Sequence, residues 1–169
     1  MIITAGIYKG RKILTPDEKI TRPTLSKVRM GVFNTLYSIV GTFENKTFLD
    51  AFGGSGIMGL EALSRGFKSV TVYEKNKTVS EIIKKNYNSL GIKPNLHVGD
   101  SIKLVCREQT LYDVIYIDPP YYSGIYEKFL LGAKGKIIIL EHSVEIDTPD
   151  YKLIKRKNYG DKIISFLTK

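Results

Sequence analysis

The tetrapeptide Asp118-Pro119-Pro120-Tyr121 places a carboxylate, two residues without a backbone donor and an aromatic ring side by side. It follows the apolar run 114–117, which predicts a buried strand that ends at the carboxylate. Because proline fixes φ and has no N–H group, we expect the carbonyls of Asp118 and Pro119 to turn outward as acceptors. Acceptors beside a ring suit a flat molecule that carries an NH2 group. The tetrapeptide therefore predicts chemistry on the exocyclic amine of a base; the alternative is an ordinary proline turn.

The glycine-rich stretch Asp-Ala-Phe-Gly-Gly-Ser-Gly at 50–56 follows another apolar run. Its last glycines and Gly59 also satisfy G-x-G-x-x-G, and Glu74 ends the next predicted strand about twenty residues later. Taken alone, this pattern could be a nicotinamide-dinucleotide site. However, Asp50, directly before the glycines, is better placed for the amino end of a zwitterionic ligand. S-adenosylmethionine meets that description.

Asp100 ends a third predicted strand and is followed by Ser101. It could face the adenine of such a ligand, cap the next helix, or do both. The residues that we assign to cofactor binding share one expected location, the carboxyl ends of the strands: Asp50, Phe52, Gly53, Gly54, Gly56, Glu74, Lys75, Asp100 and Ser101.

Strand and helix patterns alternate from residue 47 onward. Apolar runs predict strands at 47–49, 69–73, 95–98, 112–117 and 136–140. Two apolar helical patterns between them end at Gly66 and Gly91, residues that suit helix C-termini. Alternating elements with continuous apolar strands predict an α/β fold whose parallel sheet is covered on both faces. Ligands of such sheets bind beyond the carboxyl ends of the strands.

The two ends of the chain carry other patterns. Runs 2–4 and 12–14 predict a small hairpin, and 24–40 predicts a helix. At the other end, runs 151–157 and 162–167 flank a turn and predict an antiparallel hairpin at the edge of the sheet.

Length and composition limit the class of protein. A chain of 169 residues, 43% hydrophobic and 25% charged, fits one domain, which we divide into an N-terminal extension, 1–45, and a catalytic core, 46–169. No apolar run approaches the ~20 residues of a membrane span, and the start lacks a secretory signal. We expect a cytoplasmic monomer that binds no membrane. Cys106, the single cysteine, excludes an intrachain disulfide and a cysteine-based metal cluster. We expect no metal, and a buried, inert thiol.

The formal net charge of +9 favours a polyanionic partner such as nucleic acid. Within the first thirty residues a cluster of cations could serve phosphate contacts: Lys9, Arg11, Lys12, Arg22, Lys27 and Arg29. A solvated basic surface is the alternative. The candidate nucleic-acid contacts are Arg11, Lys12, Arg22, Thr24, Lys27 and Arg29.

Longer runs of the sequence resemble a known family. These runs are Ile3-Thr4-Ala5-Gly6 with Lys9-Gly10-Arg11-Lys12, Arg22-Pro23-Thr24 with Val28-Arg29 and Phe33-Asn34, and Gly59-Leu60-Glu61-Ala62-Leu63-Ser64-Arg65-Gly66. With the tetrapeptide and the glycine-rich stretch, they resemble the RsmD-type guanine-N2 methyltransferases of small-subunit (16S) ribosomal RNA, which are class I S-adenosylmethionine-dependent enzymes. The chain departs from the family at Met30, where an acidic residue is usual, and in the segment 122–134, which is shorter than usual.

The resemblance implies a Rossmann-like, seven-stranded, mostly parallel sheet. It implies S-adenosylmethionine as cofactor, with Asp50, Gly53, Gly56 and Glu74 around it, Asp100 and Ser101 near its adenine, and the stretch 118–121 at the target base. The implied partner is ribosomal RNA within a small-subunit particle, contacted by the N-terminal extension. The implied reaction is direct in-line transfer of a methyl group to the guanine N2 amine.

Three other functions use parts of the same pattern. A DNA or other RNA amino-methyltransferase would present the tetrapeptide to adenine N6 or cytosine N4. A protein-glutamine methyltransferase would use it on an amide, although its usual asparagine is Asp118 here. The non-enzymatic alternative is an RNA-binding ribosome-assembly factor with a vestigial pocket. The intact carboxylates Asp50, Glu74 and Asp118 argue against such decay.

Overall fold

The computed structural model describes residues 1–17, 25–120 and 124–169. The helices are α1 (Ser26–Val40), α2 (Ile57–Ser64), α3 (Lys77–Asn88), α4 (Ser101–Arg107) and α5 (Ile125–Gly132). The strands are β1 (Thr47–Asp50), β2 (Ser69–Glu74), β3 (Asn95–Val98), β4 (Tyr112–Ile117), β5 (Gly135–His142), β6 (Lys152–Tyr159) and β7 (Lys162–Thr168).

The strands form one sheet in the order β3-β2-β1-β4-β5-β7-β6. Strands β1 to β5 are parallel to one another, whereas β7 lies antiparallel between β5 and β6. The predicted α/β class with an antiparallel C-terminal hairpin is therefore confirmed. Since β6 runs in the same direction as β5, its carboxyl end lies at the same edge of the sheet as those of β1 to β5.

The central strand β4 shows why the sheet is buried on both faces. Its side chains alternate: Val114 and Tyr116 join one core cluster, while Ile115 and Ile117 join the other. The first cluster lies between the sheet and helices α1, α2 and α3, and the second lies between the sheet and helices α4 and α5. A continuous apolar run is what a strand with two covered faces requires.

The N-terminal segment folds back on itself as predicted: Ile2 and Lys12 form an antiparallel bridge, and backbone hydrogen bonds join Ile3 to Gly10 and Arg11, and Ile13 to Met1. The tip of this reversal also bonds to α2. The N–H groups of Ile7 and Tyr8 donate to Ser64 of α2, at 2.8 and 2.9 Å. The approach is close because Gly6 has φ +82° and a Cβ there would overlap the carbonyl oxygen of Ser64. Local pattern predicted the chain reversal but not its attachment to α2.

Some expectations from the sequence need adjustment. The predicted helix at 24–40 begins at Ser26, and Thr24 lies outside the described residues. The shortened segment 122–134 still contains α5. Cys106 is exposed, so the expectation of a buried thiol was wrong: it lies on the outer face of the short helix α4. Among the described residues, no helix combines the length and the apolar character needed to cross a membrane.

Candidate active site

A cavity of about 630 Å³ opens at the carboxyl ends of the central strands. This volume lies within the range of small-molecule sites, roughly 300 to 1,000 Å³. The cavity brings together most of the candidate cofactor and catalytic residues: Asp50, Phe52, Gly53, Gly54, Glu74, Lys75, Asp100, Ser101, Asp118, Pro119 and Pro120. They come from four different strand ends, which only the parallel sheet makes neighbours.

The glycine turn joins β1 to α2. It is held by a hydrogen bond from the Gly53 N–H to the Tyr73 carbonyl, at 2.8 Å, and by one from the Gly56 N–H to the Gly53 carbonyl, at 2.7 Å. Gly54 faces open space with φ +54°, so a ligand can approach its backbone. Gly56 does not line the cavity; a Cβ there would lie 3.1 Å from the ring of Tyr87. The packing against Tyr87 and the φ of +79° at the start of α2 explain why residue 56 is a glycine.

Glu74 connects the glycine turn to the start of α3. Its carboxylate accepts a hydrogen bond from the Gly54 N–H at 3.1 Å and another from the Asn76 N–H at 2.7 Å. Burial raises the pKa of Glu74 above its ordinary value, although these N–H groups oppose the shift. Each oxygen keeps a second lone pair, so the carboxylate can still accept from ligand hydroxyl groups.

Asp50 is almost completely buried, at 1% exposure, on the floor of the cavity. Its Oδ2 accepts a hydrogen bond from the Gly59 N–H at 3.3 Å. Burial raises the pKa of Asp50 to about 8, and the nearby charges of Asp118 and Glu74 push it in the same direction. A buried carboxylate without a cation is costly. The floor of the cavity therefore favours a ligand with a positively charged group.

Asp100 caps α4, as one of the two sequence interpretations predicted. Its Oδ1 accepts from the N–H groups of Ile102 and Lys103, at 3.1 and 3.2 Å. Its Oδ2 lies 3.5 Å from the Nζ of the exposed Lys75. Asp100 and the buried Ser101 also line the cavity, so the capping role leaves a ligand contact possible for both.

The stretch Asp118-Pro119-Pro120 forms the wall of the cavity that follows β4. Pro119 is buried, Asp118 is half-buried and Pro120 is exposed. Tyr121 lies outside the described residues. The negative charge of Asp118 interacts with Asp50 and helps to raise the pKa of Asp50. Apart from Gly56 and the undescribed Tyr121, the candidate catalytic and cofactor residues therefore line one cavity.

A buried ionic cluster beside this wall was not predicted. The side chains of Tyr116 and Lys162 line the cavity and both contact the carboxylate of Glu141, which is 2% exposed. The Tyr126 hydroxyl donates to the Glu141 carbonyl at 2.6 Å. In the sequence, Lys162 looks like a flanking charge before an apolar strand. No local signal shows that β7 starts at the cavity.

The candidate RNA contacts are not all available on the surface. Lys12 and Lys27 are exposed, and Arg11 is exposed while donating to the Ser89 carbonyl at 3.1 Å. Arg22 and Thr24 lie outside the described residues. The remaining candidate, Arg29, is only 1% exposed.

Arg29 is a structural residue, and its assignment to RNA is corrected. Its guanidinium donates to Glu61 Oε1 at 3.3 Å, to the Ile2 carbonyl at 2.7 Å and to Ser26 Oγ at 3.1 Å. Glu61 is fully buried and also accepts from Arg65 Nε at 3.2 Å. Burial lowers the pKa of Arg29, and the Glu61 charge opposes that shift. These contacts tie α1 and the N-terminal segment at Ile2 to α2.

Within the three described ranges, no group of three or more His, Cys, Asp or Glu side chains is placed to hold a metal ion.

Comparison with known proteins relates the whole chain to one family. The family model described as conserved hypothetical protein 95 matches residues 1–168. Ribosomal RNA small subunit methyltransferase D of Escherichia coli K12 is 34% identical over 156 residues, covering 87% of this chain and 77% of that protein. The protein of the same name from Haemophilus influenzae is 36% identical over 180 aligned positions, covering 97% of this chain and 90% of that protein.

Solved structures show the same similarity in three dimensions. A structure described as the putative methyltransferase yhhF from Escherichia coli superposes with a TM-score of 0.87 at 28% identity, covering 100% of this chain and 97% of that one.

Proposed function

Since the chain belongs to the ribosomal RNA small subunit methyltransferase D family, we propose that it transfers a methyl group from S-adenosylmethionine to the N2 amine of a guanine in 16S ribosomal RNA. One observation carries the proposal. The acceptor wall at Asp118 and Pro119 and the glycine turn with Glu74 line a single cavity, so a cofactor and a base can meet there. The reaction would take place in the cytoplasm.

The groups that line the cavity fit S-adenosylmethionine. Bound there, the cofactor would supply an electrophilic methyl group on a sulfonium. The buried Asp50 matches its ammonium group, because a cation offsets the cost of ionising this carboxylate. Glu74 has lone pairs for the ribose hydroxyl groups. Asp100 and Ser101 also line the cavity and would face the adenine.

Asp118 and the Pro119 carbonyl would hold the amine of the base. The lone pair of this nitrogen is delocalised into the ring, so the reaction depends on positioning the nitrogen in near-attack geometry, an effect able to supply several kcal/mol. Two acceptors on the amine hydrogens favour a pyramidal nitrogen with its lone pair towards the methyl group. The nitrogen gains the methyl group and loses one proton overall to solvent, while the former sulfonium leaves as the neutral thioether of S-adenosylhomocysteine. No covalent intermediate is required.

Tyr121 would hold the base by stacking, worth roughly 1 to 3 kcal/mol for an unstacked base. A paired guanine must first be splayed out of its helix. Because stacking needs the ring and not the hydroxyl, Tyr121→Phe should reduce methyl transfer to RNA only slightly, whereas Tyr121→Ala should impair it strongly.

Single-turnover transfer with saturating cofactor tests the site. Asp118→Ala should keep the fold and cofactor affinity yet slow transfer by orders of magnitude, because it removes positioning at the reacting nitrogen. Asp118→Asn keeps an acceptor oxygen and should retain partial activity. Asp150→Ala, which removes an exposed carboxylate from a loop, is the matched control. Transfer at the wild-type rate by Asp118→Ala would exclude the proposed site.

The target atom is tested by the product. Free 16S RNA and small-subunit particles are each incubated with labelled S-adenosylmethionine, and the nucleosides are analysed by mass spectrometry. The proposal requires N2-methylguanosine. N6-methyladenosine or N4-methylcytidine as the product would show that the same cavity wall acts on the amine of adenine or cytosine. Labelling of protein would favour an amide substrate.

A further inference from the structure

Strand β6 is a basic strand at the edge of the sheet. It reads Lys-Leu-Ile-Lys-Arg-Lys-Asn-Tyr, and its residues 152–158 are all exposed. Lysine on an edge strand commonly prevents association with other strands. That explanation accounts for charge anywhere on the strand. The cations of β6 show a more specific arrangement than this role requires. The pairing of β6 with β7 decides which face of the sheet each side chain occupies and where it lies relative to the cavity.

The register with β7 gives the direction of each cation. Lys155 lies opposite Phe166, and Lys157 lies opposite Ile164. Opposed residues of an antiparallel pair project to the same face. Phe166 and Ile164 belong to the core cluster on the side of α1, so both lysines project to that side. Within the described residues, neither lysine has an ion-pair partner.

Arg156 differs from its two neighbours. It lies opposite Ser165 and projects to the other face of the sheet. There its guanidinium forms two contacts with Glu145, at 2.9 and 3.1 Å. The α1 side of β6 therefore keeps its positive charge, while the opposite side is neutralised.

The end of β6 joins this basic face to α1 and to the cavity. Tyr159 packs against Gly31 so closely that a Cβ on Gly31 would overlap the tyrosine hydroxyl. Lys27 is exposed and lies one helical turn before Gly31, on the same side of α1. Tyr159 is opposite Lys162, which lines the cavity. A continuous path thus leads from the cavity over Tyr159 to the lysines.

We propose that Lys27, Lys155 and Lys157 form an RNA-binding surface, the α1–β6 surface, which holds the phosphate backbone of the strand that enters the cavity. Residues two apart on a strand are about 6.6 Å apart, so flexible lysine side chains can reach successive phosphates. The inference rests on the proposed function for its partner. It assigns substrate binding to the C-terminal hairpin, whereas the sequence pattern assigned it to the N-terminal extension alone.

RNA binding as a function of salt tests the surface. Each phosphate contact contributes about 0.7 to 0.9 to the slope of log K against log salt concentration. Lys155→Gln/Lys157→Gln should therefore reduce the magnitude of this slope by about 1.4 to 1.8. Over the decade from 1 M to 0.1 M salt, the affinity of the variant should fall behind that of the wild type by about 25- to 60-fold. Adding Lys27→Gln should extend the loss by a similar factor per charge. Cofactor affinity should not change.

The matched control is Lys68→Gln/Lys93→Gln, which removes the same charge from exposed positions before β2 and β3, at the edge remote from the cavity. Its slope should stay close to that of the wild type. An equal slope for the two double variants would overturn the proposal, as would a wild-type protein that does not bind RNA. A β6 variant that self-associates with an unchanged slope would show that the lysines only protect the edge.

Methyl transfer separates this inference from the function on which it rests. At saturating RNA, the β6 double variant should keep its turnover rate and show a raised KM. A wild-type protein that binds RNA without methylating it would contradict the proposed function, yet the salt slopes would still decide whether the α1–β6 surface contacts phosphate.

Discussion

Arg29→Met should destabilise the protein and leave RNA binding almost unchanged. The substitution keeps much of the side-chain volume but removes a buried cation from the junction of α1 and α2. Glu61, which is fully buried, would lose one of its two arginine partners. The Ile2 carbonyl would lose a donor at 2.7 Å.

The magnitude follows from these contacts. Breaking a buried ion pair costs about 3 to 5 kcal/mol, and we take the lower end because Arg65 still pairs with Glu61. The unsatisfied Ile2 carbonyl adds about 1 kcal/mol or more. The free energy of unfolding should therefore fall by about 4 kcal/mol, a large part of the 5 to 15 kcal/mol typical of a domain. With a urea m-value of about 2 kcal/mol/M, the midpoint should move by about 2 M.

Urea denaturation measures this change, and Lys27→Met on the exposed face of the same helix is the control. That variant should lie within about 0.5 kcal/mol of wild type, as exposed substitutions do. The log–log salt slope of RNA binding should not change in Arg29→Met. A loss of less than 1 kcal/mol together with a slope lowered by almost one unit would refute the burial argument and restore Arg29 as a phosphate contact.

Other substitutions test the cavity. Glu74→Ala should weaken S-adenosylmethionine binding by roughly 1.5 to 3 kcal/mol in calorimetric titration; unchanged affinity in a folded variant would exclude the ribose contact. Because the pKa of Asp50 is raised to about 8, cofactor affinity should rise by up to about tenfold per pH unit between pH 6 and 7.5 as this carboxyl ionises, and Asp50→Asn should abolish the dependence. The stability of the ligand-free protein should depend on pH in the opposite direction, because Asp50 holds its proton more tightly in the folded state than in the unfolded state. In urea denaturation, the free energy of unfolding should therefore fall as the pH rises towards 8, and it should fall less in Asp50→Asn. Lys162→Met leaves the Glu141 carboxylate buried without its cation and should cost about 3 to 5 kcal/mol by denaturation, whereas Lys162→Met/Glu141→Met should recover much of that loss; equal losses would show that the pair is not coupled.

The strands and the chemistry at their ends could be predicted from the sequence because both are local properties. The apolar run of β4 requires burial on both faces, and Asp118 follows it directly. The glycines after Asp50 mark a tight turn for the same reason: positive φ is a property of one residue. A parallel sheet then brings strand ends together wherever they occur in the chain.

The environments of Arg29, Lys27 and Lys162 were decided by tertiary structure. Arg29 and Lys27 lie two positions apart in one basic run, yet one is buried against Glu61, 32 positions away, and the other is exposed. The order of strands places β7 between β5 and β6, which brings Lys162 to the cavity and turns Lys155 and Lys157 towards α1. Local pattern records what each residue favours on its own. The partner of a charge depends on which distant segments pack together, and only the folded chain determines that.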